Sequence, residues 1–389
     1  MTTKTTGTVL DVDSLLADRN VRTILCCGSG GVGKTTTAAA IGLRAAEQGR
    51  TVVVITIDPA RRLAQALDLD RLGNTPLEVT GTDTSAGGRL DAMMLDMKRT
   101  FDDLVLSHTD TERAEQIFSN PFYQSLSSSF AGTQEYMAME KLGQLHQAAR
   151  WDLVVVDTPP SRSALDFLDA PTRLGSFLDG RFIRLLTAPT RAGGRAYVRM
   201  VSAGMSMLTS TVSKLLGAAL LRDVQTFLAA FESMFGGFRE RAERTYSALK
   251  DGQTSFLVVA TPERDALREA SFFVDRLETD QMPLSGLVLN RVHPHRGGSL
   301  GPERALELAD ELWPEGRRRE GVEVAPREMT ANLLRLHAAN RERSLHEERQ
   351  TSRFTAEHPD VPIAVAVAQA GDVHDLDGLR SLGASLAGG

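Results

Sequence analysis

The sequence is poor in cysteine, in aromatic residues and in long apolar runs. Only two cysteines occur in 389 residues, Cys26 and Cys27. They are adjacent, so in a strand they point to opposite faces and offer no disulfide framework. No stretch approaches the roughly 18 uncharged apolar residues of a membrane span. The first twenty residues (MTTKTTGTVLDVDSLLADRN) hold no apolar leader core. These absences predict a cytoplasmic protein. An excess of positive charge is missing as well. The formal net charge of -6 argues against nucleic acid as a partner. A hydrophobic content of 42% with 24% charged residues is that of an ordinary globular chain able to bury a large core.

What the chain does have is a glycine cluster ending in a lysine: Gly28-Ser29-Gly30-Gly31-Val32-Gly33-Lys34-Thr35. It fits the phosphate-loop pattern GxxxxGK[ST]. Glycines let the backbone curl and turn successive N–H groups toward phosphate oxygens. Lys34 is placed to reach the β- and γ-phosphates, and Thr35 to offer its hydroxyl to Mg²⁺. The flanks agree with the pattern. Val21 to Cys27 is a short apolar run that reads as a buried parallel strand. Lys34 to Gln48 reads as an Ala- and Leu-rich helix stopped by Gly49. Thr51 to Ile57 is a second buried strand. ATP and Mg²⁺ are the expected ligands.

Further strand-length runs are Leu90 to Leu95, Leu153 to Val156, Phe256 to Ala260, Gly286 to Leu289 and Ile363 to Val367. Most are continuous rather than alternating, as strands covered on both faces should be. Helical segments separate them. The fold class predicted is therefore α/β: a doubly wound, mostly parallel sheet of the P-loop NTPase kind, with a helical insertion subdomain. The whole chain, 1–389, reads as one such domain. Two insertions interrupt it, a helical one at 98–150 and a longer one at 174–250 with no strand signal. In the second, Val198, Val201, Met205, Leu208, Val212 and Leu215 form a seam spaced by three and four, with no charge between Arg199 and Lys214. That seam suits a subdomain packing on itself, or equally an apolar surface for a client or partner. The loop from His293 to Pro302 carries two histidines, but no Cys or further His at metal-ligand spacing.

Ligands of open α/β sheets bind at the carboxyl ends of the strands. Three runs end there in polar residues: Asp58, Asp157, and Asn290 with Arg291. Asp157 is expected to hold Mg²⁺ directly or through its water shell. Asp58 is expected to orient and polarise the attacking water. Asn290, both donor and acceptor, suits an adenine edge.

With these residues in hand, the chain resembles the arsenical-pump and tail-anchored-protein-targeting ATPases, of the same class as MinD-type ATPases. The family's KGGVGKTT corresponds to Ser29-Gly30-Gly31-Val32-Gly33-Lys34-Thr35-Thr36. Its Asp-Pro-Ala switch is Asp58-Pro59-Ala60, and its Asp-Thr-x-Pro switch is Asp157-Thr158-Pro159-Pro160. Asn290 stands where the family's adenine-contacting Asn follows a strand, and Val259-Ala260-Thr261-Pro262-Glu263 matches a strand followed by Pro-Glu and a helix. The resemblance implies ATP hydrolysis, with Asp58 and Lys34 catalytic. It implies nucleotide contacts from Gly28 through Thr36 and from Asn290, and Mg²⁺ held by Thr35 and Asp157. It also implies a homo- or heterodimer with a related ATPase, and an apolar client or membrane-protein partner handled near 174–250.

Three departures qualify it. The family's signature lysine, which reaches across a dimer, is Ser29 here. A charge supplied that way in related enzymes is worth about 10³ to 10⁵ in rate. No Cys-x-x-Cys is present, so zinc is not expected, and no thiolate cluster suits arsenite. Two other readings stand beside the hydrolase. One is a non-catalytic ATP-binding subunit of a heterodimer, which Ser29 favours. The other is a partitioning ATPase on membrane or DNA, which the acidic-to-neutral C-terminal stretch disfavours.

Overall fold

Runs such as TILCC, TVVVIT and LVVVD are too short and too β-branched for helices, and they become strands. We describe residues 8–388 of a computed structural model, except 59, 122, 125–126, 128–132, 160–239, 242, 295–297 and 316–325. The strands are β1 (Thr23–Cys27), β2 (Thr51–Thr56), β3 (Leu77–Glu78), β4 (Arg89–Met94), β5 (Leu153–Asp157), β6 (Thr254–Ala260), β7 (Leu284–Val292) and β8 (Ile363–Val367). They form one sheet in the order β3-β4-β2-β5-β1-β6-β7-β8. All neighbours are parallel except β3, which runs antiparallel to β4. Every residue of β1, β5 and β6 is buried, so both faces of the sheet centre are covered. The fold is the doubly wound α/β type that the apolar runs predict.

The helices are α1 (Val12–Ala17), α2 (Lys34–Glu47), α3 (Arg62–Ala66), α4 (Met97–His108), α5 (Thr111–Phe118), α6 (Thr133–Ala148), α7 (Arg264–Thr279), α8 (Pro302–Leu312), α9 (Pro326–Glu357) and α10 (Leu376–Ala387). α2 buries its small residues Ala38, Ala39, Ala40, Gly42, Ala45 and Ala46, which lets it lie close against the strands. α10 packs on α2 and β8; α7 packs on β6 and against α9, along which α8 also lies. Asp96 and Asp375 cap α4 and α10 by accepting from Arg99 N and Gly378 N.

The 98–150 stretch carries α4, α5 and α6. Of the 174–250 insertion, only its last turns, from residue 240, lie among the described residues, and these are helical. The seam from Val198 to Leu215 lies outside them, as do Pro59 and Pro160 of the two switch motifs. No helix among the described residues is long and apolar enough to cross a membrane.

Two strand ends differ from the sequence expectation. Asp157 is the last residue of β5 rather than the residue after it, because its backbone is still in register with Cys26 of β1 and Thr56 of β2. Asn290 likewise lies inside β7, which runs on to Val292. Between Leu289 and Val292 the register against β8 shifts, Val292 facing Val367 where Leu289 faces Val365. Arg291 takes the left-handed conformation, φ 60°, at this bulge. A bulge of this kind re-aims side chains at a strand end.

Candidate nucleotide site

β1 delivers the chain to Gly28 at φ 150°, and Gly33 at φ 92° leads into α2. Neither position accepts a side chain. A Cβ on Gly28 would collide with the Val259 carbonyl oxygen, and one on Gly33 with the Asn290 carboxamide. The loop is further pinned by Asn290, whose Nδ2 donates to the Val32 carbonyl at 2.9 Å. Asn290 Oδ1 accepts from Arg291 N at 2.9 Å. Lys34 is buried, and its Nζ donates to the Ser29 carbonyl at 2.8 Å. Burial draws the ammonium pKa down, while the Asp157 carboxylate opposes that shift.

Behind the loop sits Asp157, 1% exposed. Its Oδ2 accepts from Thr35 Oγ1 at 2.7 Å and from Thr56 Oγ1 at 2.8 Å. Its Oδ1 is buried without a hydrogen-bond partner. Burial is the dominant influence, pushing the carboxyl pKa up to about 6 against the pull of Thr35, Thr56 and Lys34. An orphaned carboxylate oxygen beside a threonine hydroxyl is a hard-oxygen donor set that fits Mg²⁺. Asp58 is half-buried at the end of β2. Its Oδ1 accepts from Ala60 N at 2.9 Å, and its own N–H donates to Thr56 Oγ1 at 3.2 Å. Thr56 thus links the two acids. Thr158, next after Asp157, is tied to β1 by Oγ1 donating to the Cys26 carbonyl at 2.8 Å.

A cleft of about 1230 Å³ opens over these groups. Gly30, Gly31, Gly33, Lys34, Thr35, Thr36, Asp58 and Asn290 line it together. Gly28, Ser29, Val32 and Asp157 do not; Asp157 is reached through Thr35. Sequence reasoning missed part of the wall. Arg62 and Gln65 of α3 line it, as do His293 and the loop after β8 that includes Gln369, Asp372 and His374; Arg291, expected at its strand end, lines it too. Only proximity to a strand end could have signalled these residues, and the β7 bulge leaves no mark in the sequence.

Residues 21–299 match the profile of the family described as anion-transporting ATPase. The chain belongs to that family. Among curated proteins, this ATPase is similar to ATPase GET3 of Podospora anserina, 26% identical over 291 residues that cover 74% of this chain and 78% of the relative. It is similar to ATPase ASNA1 homolog 2 of Paramecium tetraurelia, 24% identical over 282 residues, covering 72% and 78%. ATPase ARSA1 of Chlamydomonas reinhardtii is 25% identical over 311 residues, covering 73% of this chain but 37% of that longer protein. The protein is thus an ATP hydrolase, with the P-loop fold its glycine cluster implies. Its two cysteines are buried in β1, and burial holds both thiols protonated, Cys27 with a pKa pushed up to about 12.

Proposed function

We propose that this ATPase is Mg²⁺-dependent and uses Asp58, Lys34, Thr35 and Asp157 for hydrolysis. The observation that carries this reading is the Asp157 carboxylate, buried with one oxygen bound to Thr35 and the other unpartnered. Thr35 and Asp157 would hold the metal, which would supply charge neutralisation at the phosphates. Lys34 releases part of its hold on the Ser29 carbonyl to meet phosphate oxygens. The N–H groups from Gly28 to Thr36 cradle the phosphates, with Gly31 and Gly33 taking the positive-φ conformations that such a curled loop needs. Asp58, on the cleft wall, orients the attacking water and accepts its proton. Asn290 supports the loop from behind through Val32 and faces the adenine end.

The 174–250 region, whose sequence carries no strand signal, couples nucleotide state to an apolar client or membrane-protein partner, and the working unit is a dimer in the cytoplasm, homo- or heteromeric. Changes at Asp58 and Asp157 with nucleotide state reach that region along the chain that follows β5. Support for this comes from the family resemblance and the uncharged seam between Arg199 and Lys214. Ser29 gives a specific reason to keep the heterodimer reading, since a homodimer of this chain lacks the lysine from both sides.

Steady-state ATP hydrolysis by wild type, Lys34→Ala and Ser29→Lys tests the reading. Turnover in wild type that vanishes in Lys34→Ala and on chelation of Mg²⁺ supports a self-sufficient enzyme. Wild-type silence with activity gained in Ser29→Lys means the lysine comes from a second ATPase. Turnover unchanged in Lys34→Ala overturns the assignment.

A further inference from the structure

The cleft has two sides about β1. The acids Asp58 and Asp157 belong to β2 and β5, on one side of β1 in the sheet. β7 and β8 lie on the other. A nucleotide whose phosphates sit on the loop after β1, with its metal toward Asp157, must send its base toward β7 and β8. There the bulge at Arg291 puts His293 on the cleft wall.

His293 is not a loosely placed loop residue. Glu347, on α9, grips it twice: Oε2 accepts from the backbone N–H at 2.8 Å, and Oε1 pairs with ring Nδ1 at 2.8 Å. The Glu347 side chain is 12% exposed and that of His293 42% exposed, so the carboxylate is sheltered while the ring stays open. A carboxylate only accepts, so Nδ1 carries the proton. In the neutral ring Nε2 is then a bare acceptor, and it has no hydrogen bond among the described residues. Adenine presents a 6-amino donor where guanine presents a carbonyl acceptor.

Building on the nucleotide reading above, we propose that His293 Nε2 accepts a hydrogen bond from the 6-amino group of the bound purine and so selects adenine. Glu347 is its positioning residue, fixing the tautomer from α9. The base selection is thereby set by two residues 54 positions apart in the chain.

The test uses ADP, so that turnover does not interfere. Dissociation constants are measured by calorimetry for ADP, purine riboside diphosphate (which lacks the 6-amino group) and 2′-deoxy-ADP. Wild type is expected to favour ADP over the purine riboside analogue by about two- to tenfold, the worth of one neutral hydrogen bond. His293→Ala should bring that ratio close to one. Glu347→Gln should shrink it as well, with His293 still present, because a carboxamide can also donate to Nδ1 and so does not hold the proton there. A purely structural role for either residue would weaken both ligands equally and leave the ratio intact, which overturns the proposal. A His293→Ala loss confined to the comparison of ADP with 2′-deoxy-ADP overturns it too, by moving the contact to the ribose. Failure of wild type to bind ADP at all would instead sink the nucleotide reading itself.

Discussion

Arg50 and Asp157 are charged groups buried in the same sheet, at opposite ends of its strands. Arg50, 1% exposed, stands at the amino end of β2. Its Nη1 donates to the carbonyls of Leu16 and Asp18, its Nη2 to those of Val21 and Asp152, and its Nε to the Asp152 carboxylate at 3.1 Å. All five N–H donors of the guanidinium are used. Asp157, at the carboxyl end of β5, keeps one oxygen without a partner. The amino ends are closed by a fully satisfied charge that ties the segments before β1, β2 and β5 together. The carboxyl ends retain an unsatisfied one just behind the wall of a cleft, reached through Thr35. A buried polar group without a partner costs about 1–3 kcal/mol, which makes the Asp157 oxygen a place where a bound ion would restore the missing contact. One end of the sheet is closed by internal bonds, and the other keeps an open acceptor.

Disabling the closed end should produce the largest loss of stability. Arg50→Ala strands the buried carbonyls of Leu16 and Val21 and is expected to cost about 3–5 kcal/mol. The shift of the urea midpoint measures it, while hydrolysis per folded molecule should hold. A normal midpoint would erase the contrast between the two ends.

Asp157→Asn should act in the opposite sense. Hydrolysis falls by about a hundredfold or more, yet the ligand-free protein becomes more stable. The folded carboxyl has its pKa raised from 3.8 to about 6. The native state therefore holds the proton more tightly than the unfolded chain. The stability tied to that proton is complete below 3.8 and is lost as pH rises through about 6. Above that pH the substitution should recover up to about 3 kcal/mol. The gain should shrink as pH falls through 6 and vanish below 3.8. Thermal melts at several pH values would show it, and a pH-independent gain would count against burial as its cause.

A smaller effect sharpens the same point. Asp91 is buried in β4, with Oδ2 accepting from Trp151 Nε1 at 2.8 Å and Oδ1 from Arg89 Nε at 2.9 Å. Trp151→Phe keeps most of the apolar contact but removes one donor. It should cost about 2 kcal/mol, read from chemical denaturation, with no change in nucleotide affinity. A change in affinity would mean that the two ends of the sheet are coupled.

The residues assigned to phosphate are local in sequence, so the sequence offered them as candidates. Gly28 to Thr36 is one continuous stretch, a loop running into the first turn of α2, and Asp58, Asp157 and Asn290 each follow or end an apolar run. The core strands were legible for the same reason, as continuous β-branched runs. β3 was not: Leu77–Glu78 is two exposed residues, and only pairing with β4 defines it as a strand. The exact ends of β5 and β7 were missed because they depend on which neighbour the backbone continues to pair with. Arg50 looks in the sequence like any arginine after a helix-ending glycine. Its role comes from carbonyls that are distant along the chain.

The sequence by itself determined the family, the phosphate loop and the doubly wound layout, because each is encoded by short runs whose chemistry acts over a few residues. The tertiary structure alone decided which charges are satisfied and which are left open. That includes Arg50 clamped by four carbonyls, Asp157 with an orphaned oxygen, and His293 aimed by a bulge and held by Glu347 on a distant helix. Hydrogen bonding and burial depend on three-dimensional neighbours, and those neighbours exist only once the sheet has assembled.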